Sequence, residues 1–183
     1  MYDLNTDIER VLLAKEQIEA KVKELGEKIT EDYRGKNLLL LSVLKGSIVF
    51  IADIMRKINL PYTIDLMAVS SYGDQTKSSG VVKINLDLKK GVEGKDILII
   101  EDIIDSGLTL SYIKNLLISR NANSVEICSI LNKPDCNKVD LEPKYVGFDI
   151  PSEFVVGYGL DYAERYRGLP YVGVLKREIY ENK

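Results

Sequence analysis

The chain has 183 residues, 45% of them apolar, and a formal net charge of −3; it can bury one core of ordinary domain size and gives no reason to expect a nucleic-acid surface. With no histidine and two cysteines, it excludes a Ser-His-Asp triad, a His-ligated metal, a disulfide framework and a zinc knuckle, so acid–base work falls to Asp, Glu, Lys or Tyr and a metal would meet oxygen ligands, favouring magnesium over zinc. The N-terminus lacks a basic-then-apolar export signal and no apolar run approaches the ~20 residues that cross a bilayer, so a cytoplasmic protein with no membrane partner is expected, Cys128 and Cys136 being reduced thiols.

Along the chain, Ile18, Val22, Leu25 and Ile29 recur at helical spacing and predict an amphipathic helix that Gly35 can end. Leu38 to Val43 reads as a buried strand, Ile48 to Ile58 as a helix, and Tyr62 to Val69 as a strand entered through Pro61. The polar stretch from Ser70 to Gly80 has no pattern and predicts an excursion from the sheet, after which Val81 to Leu88 resumes strand character. Ile97 to Asp102, a helix around Leu110 to Ser119 and the strand Ser124 to Leu131 form another strand-helix-strand unit. Such alternation implies an α/β fold with a mostly parallel twisted sheet and right-handed crossovers. Beyond Lys133-Pro134 the pattern changes to short strands at Tyr145 to Ile150, Phe154 to Tyr158 and Tyr171 to Leu175.

The richest segment for chemistry runs from Ile97 to Leu110, where a greasy strand gives way to a helical pattern through Glu101-Asp102-Ile103-Ile104-Asp105-Ser106-Gly107-Leu108-Thr109. In parallel sheets, ligands gather where the carboxyl ends of strands meet the following helices. Adjacent carboxylates only accept hydrogen bonds and suit paired ribose hydroxyls, while a divalent cation would offset their repulsion. Gly107 permits close backbone approach, and amides at the helix start, with the Ser106 and Thr109 hydroxyls, can cradle a phosphate. The acidic pair alone would serve equally well as a capped strand end.

Glu101 to Thr109 resembles the phosphoribosyl pyrophosphate signature of the type I phosphoribosyltransferases, in the wording of the hypoxanthine-guanine family. Leu44-Lys45-Gly46, Ser71-Tyr72-Gly73, Lys133, Phe154-Val155-Val156-Gly157-Tyr158 and Asp161 match that family in order, so the resemblance covers nearly the whole chain. It implies the type I phosphoribosyltransferase fold as a single domain over residues 1–183. The core spans roughly 36–133, and a small hood is built from the N-terminal segment and residues 134–183.

The implied reaction joins a 6-oxopurine to phosphoribosyl pyrophosphate with release of pyrophosphate, through an oxocarbenium-like transition state. By resemblance, Glu101 and Asp102 hold the ribose hydroxyls and, with Asp161, place magnesium. Ser106, Gly107, Leu108 and Thr109 bind the 5′-phosphate, and Asp105 manages the purine N7 proton. Lys45 and Gly46, in a loop where relatives carry a cis peptide, and Arg167 meet the pyrophosphate. Lys133 donates to the purine O6, while Phe154 stacks on the ring and Val155 reads its edge. Ser71 and Tyr72 belong to a lid. Without the family order, Lys133 would read as a solvated lysine, Phe154 as core, Asp161 and Arg167 as surface charges, and the Ser71 loop as a passive hairpin tip. Leu108 departs from relatives with lysine in the phosphate turn and leaves one fewer cation there.

The resemblance also implies a homodimer or homotetramer with small-molecule substrates. A non-enzymatic nucleotide sensor of the same fold would carry a basic face or an added DNA-binding domain, neither of which is visible. Another α/β phosphate-binding enzyme is disfavoured because a Walker-type Gly-rich sequence ending in Lys-Ser or Lys-Thr is missing.

Overall fold

The computed structural model describes residues 3–71 and 82–181. Its main sheet contains β2 (Leu38–Leu44), β3 (Thr63–Ser71), β4 (Val82–Leu86), β5 (Asp96–Ile104), β6 (Ser124–Asn132) and β7 (Tyr145–Asp149), in the order β4-β3-β2-β5-β6-β7. All neighbours are parallel except β3 and β4. Helices α1 (Lys15–Asp32), α2 (Ile48–Ile54) and α3 (Leu108–Ser119) complete the layers.

The apolar runs in β2 and β5 follow from burial on both faces. Leu38, Leu40, Leu98 and Ile100 pack with Ile18, Val22, Leu25 and Ile29 of α1 and with Phe50 and Ile54 of α2. Alternate residues, Leu39, Leu41, Ile97 and Ile99, turn the other way, onto Leu110, Ile113 and Leu117 of α3. The chain leaves β2 toward β3 but leaves β5 toward β6, so these adjacent strands diverge at their carboxyl ends. Such a reversal opens a crevice at the sheet edge, and it is here that Lys45-Gly46 and Glu101-Asp102 meet.

A second, antiparallel sheet pairs β1 (Ile8–Leu13) with β9 (Val172–Leu175) and β9 with β8 (Val155–Val156). It covers a small core of Val156, Tyr166, Leu169 and Leu175, and α4 (Arg177–Tyr180) follows it. This sheet joins N- and C-terminal segments, as the expected hood would, but one strand expected in it lies elsewhere. Tyr145–Asp149 does not enter the hood; it pairs in parallel with β6, from Cys128 with Tyr145 to Asn132 with Asp149. The reason is that Tyr145 is buried against the α1 side of the main sheet and its hydroxyl donates to Asp32 Oδ2 at 2.6 Å. The expected hood strand from Phe154 to Tyr158 also contracts to two residues. Beyond them, Gly157 and Tyr158 turn through positive φ.

Candidate active site

Glu101 and Asp102 stand near the carboxyl end of β5. Asp102 is buried, and its Oδ1 accepts a hydrogen bond from the Ile103 amide at 2.9 Å. Glu101 Oε2 is buried and has no hydrogen-bond partner among the described residues. Burial, and next the Asp102 charge, push the Glu101 carboxyl well above the usual carboxylate range. Asp102 is raised too, by burial, although the Glu101 carboxyl, backbone amides and the Arg167 charge oppose this. Two carboxyls packed this closely call for a positive charge or hydroxyl donors.

After β5 the chain turns through Asp105 and Ser106 to Gly107, whose φ of +75° suits a residue without a Cβ. A Cβ there would also meet Val139 Cγ2 at 2.9 Å. Gly107 begins α3 without a side-chain cap, so the first helix amides and the dipole face the turn unspent. A cavity of about 260 Å³ lies against this turn, lined by Glu101, Asp105, Ser106, Gly107 and Thr109 and closed by Val43, Leu44 and Val69. Leu108 adds no charge to it. A larger cavity of about 670 Å³ lies at the opposite end of the strands, beside Thr63 to Leu66 and Lys89 to Gly91. It contains none of the predicted site residues.

The segment after β6 is laced to the same turn. The Lys133 amide donates to the Ile104 carbonyl at 2.9 Å, and the Lys138 amide to the Ser106 carbonyl at 3.0 Å. This brings Lys133 Nζ to 3.9 Å from Asp105 Oδ2. It also sets the Cys136 thiol beside Asp105: partial burial, then that carboxylate, raise the thiol above its ordinary range. The sequence marked Cys136 only as a reduced thiol, and no local signal tied it to Asp105.

Across the crevice, the Leu44–Lys45 peptide is cis. Gly46 packs so tightly on Asp102 that a Cβ would lie 1.6 Å from Asp102 Oδ2, which is why the loop needs glycine there. Buried Ser42 and Ser47 share a hydrogen bond of 2.7 Å beneath it, and Ser47 also donates to the Val43 carbonyl. Sequence reasoning passed over this pair because hydroxyls are readily hidden in an apolar run.

Arg167 donates from Nη1 to the Gly159 carbonyl at 2.8 Å, and its Nη2 forms an ion pair with Asp161 Oδ1 at 2.7 Å. Asp161 Oδ2 accepts the Glu164 amide at 2.9 Å, so both Asp161 oxygens are engaged. Glu164, missed in the sequence, is held below the usual carboxylate range first by its hydrogen bond with Lys45.

Phe154 is partly exposed; one face stacks on Tyr180 at 4.9 Å, and Tyr162 meets it edge-on at 5.7 Å. Val155 is buried in β8 opposite Val174. Ser71 ends β3, its backbone paired with Val82, whereas Tyr72, and with it most of the expected lid, lies outside the described residues. The structure therefore gathers Glu101, Asp102, Asp105 to Thr109, Lys133 and the Lys45-Gly46 loop at one sheet edge. Phe154 and Val155 stand in the hood.

The chain is similar to known proteins along most of its length. Residues 11–163 match the family model described as a phosphoribosyl transferase domain. The hypoxanthine-guanine phosphoribosyltransferase of Bacillus subtilis is 55% identical over 176 residues, covering 96% of this chain and 98% of the relative. That of Mycobacterium tuberculosis is 52% identical over 181 residues, covering 96% and 90%. A crystal structure of hypoxanthine phosphoribosyltransferase from Staphylococcus aureus superposes with a TM-score of 0.95 at 51% identity, covering 98% of this chain and 97% of that one. With the acidic strand end, glycine turn and cis loop all at one sheet edge, and with relatives matched from end to end, the chain belongs to the phosphoribosyltransferase family.

Proposed function

We propose that the protein transfers the 5-phosphoribosyl group from phosphoribosyl pyrophosphate to hypoxanthine or guanine, forming IMP or GMP and releasing pyrophosphate. The observation that carries this reading is the β5–α3 turn. Glu101, Asp105, Gly107 and the start of α3 line one cavity, and Lys133 lies 3.9 Å from Asp105.

In this reading the Ser106 to Thr109 turn binds the 5′-phosphate through amides and hydroxyls, and Glu101 and Asp102 accept from the ribose hydroxyls. The nucleophile is purine N9; as its bond to C1′ forms, the bond from C1′ to pyrophosphate breaks. Asp105 accepts the N7 proton that the base must shed. Lys133 donates to O6 of a 6-oxopurine and would face the amino group of adenine donor to donor. Lys45, the Gly46 amide and Arg167 hold the pyrophosphate, Phe154 offers its remaining face to the purine, and the Val155 backbone meets the ring edge.

Phosphoribosyl transfer in this family generally uses a divalent metal. The residues fit magnesium: an unpartnered buried Glu101 oxygen beside Asp102 gives hard oxygen donors, and magnesium usually takes one or two carboxylates together with substrate phosphates. Among the described residues, no group of three or more His, Cys, Asp or Glu side chains is placed to hold a metal ion by itself. Glu101 and Asp102 would hold it, with Asp161 on the pyrophosphate side once Arg167 turns to substrate. When bound, it neutralises charge developing on the leaving pyrophosphate. The same reading sets the enzyme in the cytoplasm as a homodimer or homotetramer.

The test is direct. Protein, phosphoribosyl pyrophosphate and magnesium are mixed with hypoxanthine, guanine, xanthine or adenine in turn, and the nucleotides are separated. IMP and GMP are expected and AMP is not; no nucleotide from any purine would refute the proposal.

A further inference from the structure

The two cations assigned to pyrophosphate already share a carboxylate of the protein. Glu164 Oε1 lies 3.1 Å from Lys45 Nζ, and Glu164 Oε2 lies 3.4 Å from Arg167 Nη2. One side chain thus spans both groups, giving one anionic oxygen to each, as neighbouring oxygens of a pyrophosphate would. Lys45 belongs to the loop between β2 and α2, whereas Arg167 precedes β9 in the hood. The bridge therefore crosses the mouth of the crevice.

We propose that Glu164 is a resident counter-anion that occupies the pyrophosphate position in the free enzyme and competes with pyrophosphate for Lys45 and Arg167. The proposal rests on the function assigned above. Its backbone is held in place: Glu164 has φ +63°, between Ala163 at +51° and Tyr166 at +74°, conformations that residues with a Cβ rarely adopt. The Glu164 amide bonds to Asp161, and the buried Tyr166 hydroxyl donates to buried Asp7 Oδ2 at 2.6 Å. The Glu164 side chain, by contrast, is 66% exposed, so it can leave the cations while the loop stays put.

Asp161 has a different part. It is more buried and closer to Arg167, at 2.7 Å, and it orients the guanidinium from the side. Glu164 is the weaker and more exposed of the two partners. Solvent-exposed ion pairs are worth little, so a pyrophosphate of higher charge displaces it readily. As the product departs, Glu164 returns to cations that would otherwise rebind it. The residue tunes product release and affinity for the pyrophosphoryl end of the substrate, without touching the purine.

The experiment titrates sodium pyrophosphate, in excess magnesium chloride, into the full chain and into Glu164→Gln and Glu164→Ala by calorimetry, with GMP as a separate ligand. Pyrophosphate should bind both variants about two- to five-fold more tightly, the scale of lost exposed ion pairs, with the gain shrinking as salt rises and GMP affinity unchanged. Unchanged or weaker pyrophosphate binding in both variants overturns the proposal, as does an equal gain for GMP. Glu164→Ala decides the matter if the Gln amide holds the loop in the carboxylate's place. Nucleotide formation by the parent protein is scored separately: an active parent with unaltered pyrophosphate affinity in both variants sinks the Glu164 role alone, whereas an inactive parent sinks the functional assignment.

Discussion

Lys133 Nζ and Asp105 Oδ2 stand 3.9 Å apart, the lysine side chain 12% exposed and the aspartate side chain 60% exposed. A largely buried ammonium thus meets an exposed carboxylate at the outer limit of an ion pair. Lys133→Ala should raise KM for hypoxanthine and guanine and relax discrimination against adenine by about 1–3 kcal/mol, the cost of leaving a buried polar group unmatched. Affinity for phosphoribosyl pyrophosphate should hardly change. Steady-state kinetics with each purine measures this, and equal damage to both substrates would place Lys133 away from the base.

Gly46→Ala should be severe because no Cβ fits 1.6 Å from Asp102 Oδ2. Either the loop or the carboxylate must move. A displacement on the order of 1 Å in a positioning group costs about 10²-fold in rate, and overpacking costs about 1–3 kcal/mol of stability. Parallel denaturant melts and kcat/KM measurements would show whether both fall; a normal kcat/KM would disprove the close approach of loop and carboxylate.

Chelation of divalent metal should abolish turnover, and added magnesium should restore it. The buried Glu101 carboxyl sharpens the expectation, since burial and Asp102 raise it well above the ordinary range. Its ionised form therefore strains the metal-free fold near neutral pH. Glu101→Gln should lose activity yet melt, in chelator, at a temperature no lower than the parent. Full turnover in thorough chelation, or a clear fall in melting temperature, would count against this account of the acidic pair.

Asp96 gives a pH prediction away from the site. Burial acts to raise it, but hydrogen bonds from Ser124 and Asn123, both 2.7 Å, prevail and leave it below its ordinary 3.8. A carboxylate lowered on folding stabilises the fold above its unfolded pKa, and that contribution is lost as pH falls through the folded value. Near neutral pH, Asp96→Asn should cost about 1.5–3 kcal/mol, the range for hydrogen bonds to a charged group. The gap should close in acid, below 3.8. Urea melts of both proteins across this range check it; a gap that is the same at every pH would mean that the charge is irrelevant.

The legible parts of the sequence were those fixed by local constraint. Leu38 to Leu41 and Ile97 to Ile100 are apolar without a break because helices cover both faces of their sheet, and the phosphate turn announces itself through a glycine that the αL conformation requires. β1 escaped notice because Glu9, Arg10 and Val11 are all exposed, so no alternation marks the strand. Tyr145–Asp149 was misassigned because its place beside β6 depends on partners far away in sequence, Asp32 among them. The same holds for Glu164 between Lys45 and Arg167, and for Cys136 beside Asp105. Periodicity reports which face is buried; it does not report which loops meet.

Asp105 is the residue on which the chemical reading turns. Its carboxylate is largely exposed at the edge of the cavity, while the neighbouring Ser106, Gly107 and Thr109 line the wall. One turn can therefore grip a sugar phosphate and still offer a proton acceptor to the base. Asp105→Asn keeps the shape, leaves Lys133 in place and removes only that acceptor. If Asp105 takes the N7 proton, kcat should fall by the ~10²–10⁴-fold typical of a lost general base. Phosphoribosyl pyrophosphate, which does not need the acceptor, should bind about as before. Single-turnover kinetics and direct titration separate the two effects. Should binding collapse while kcat survives, Asp105 is a scaffold of the phosphate turn, and the N7 proton leaves by another route.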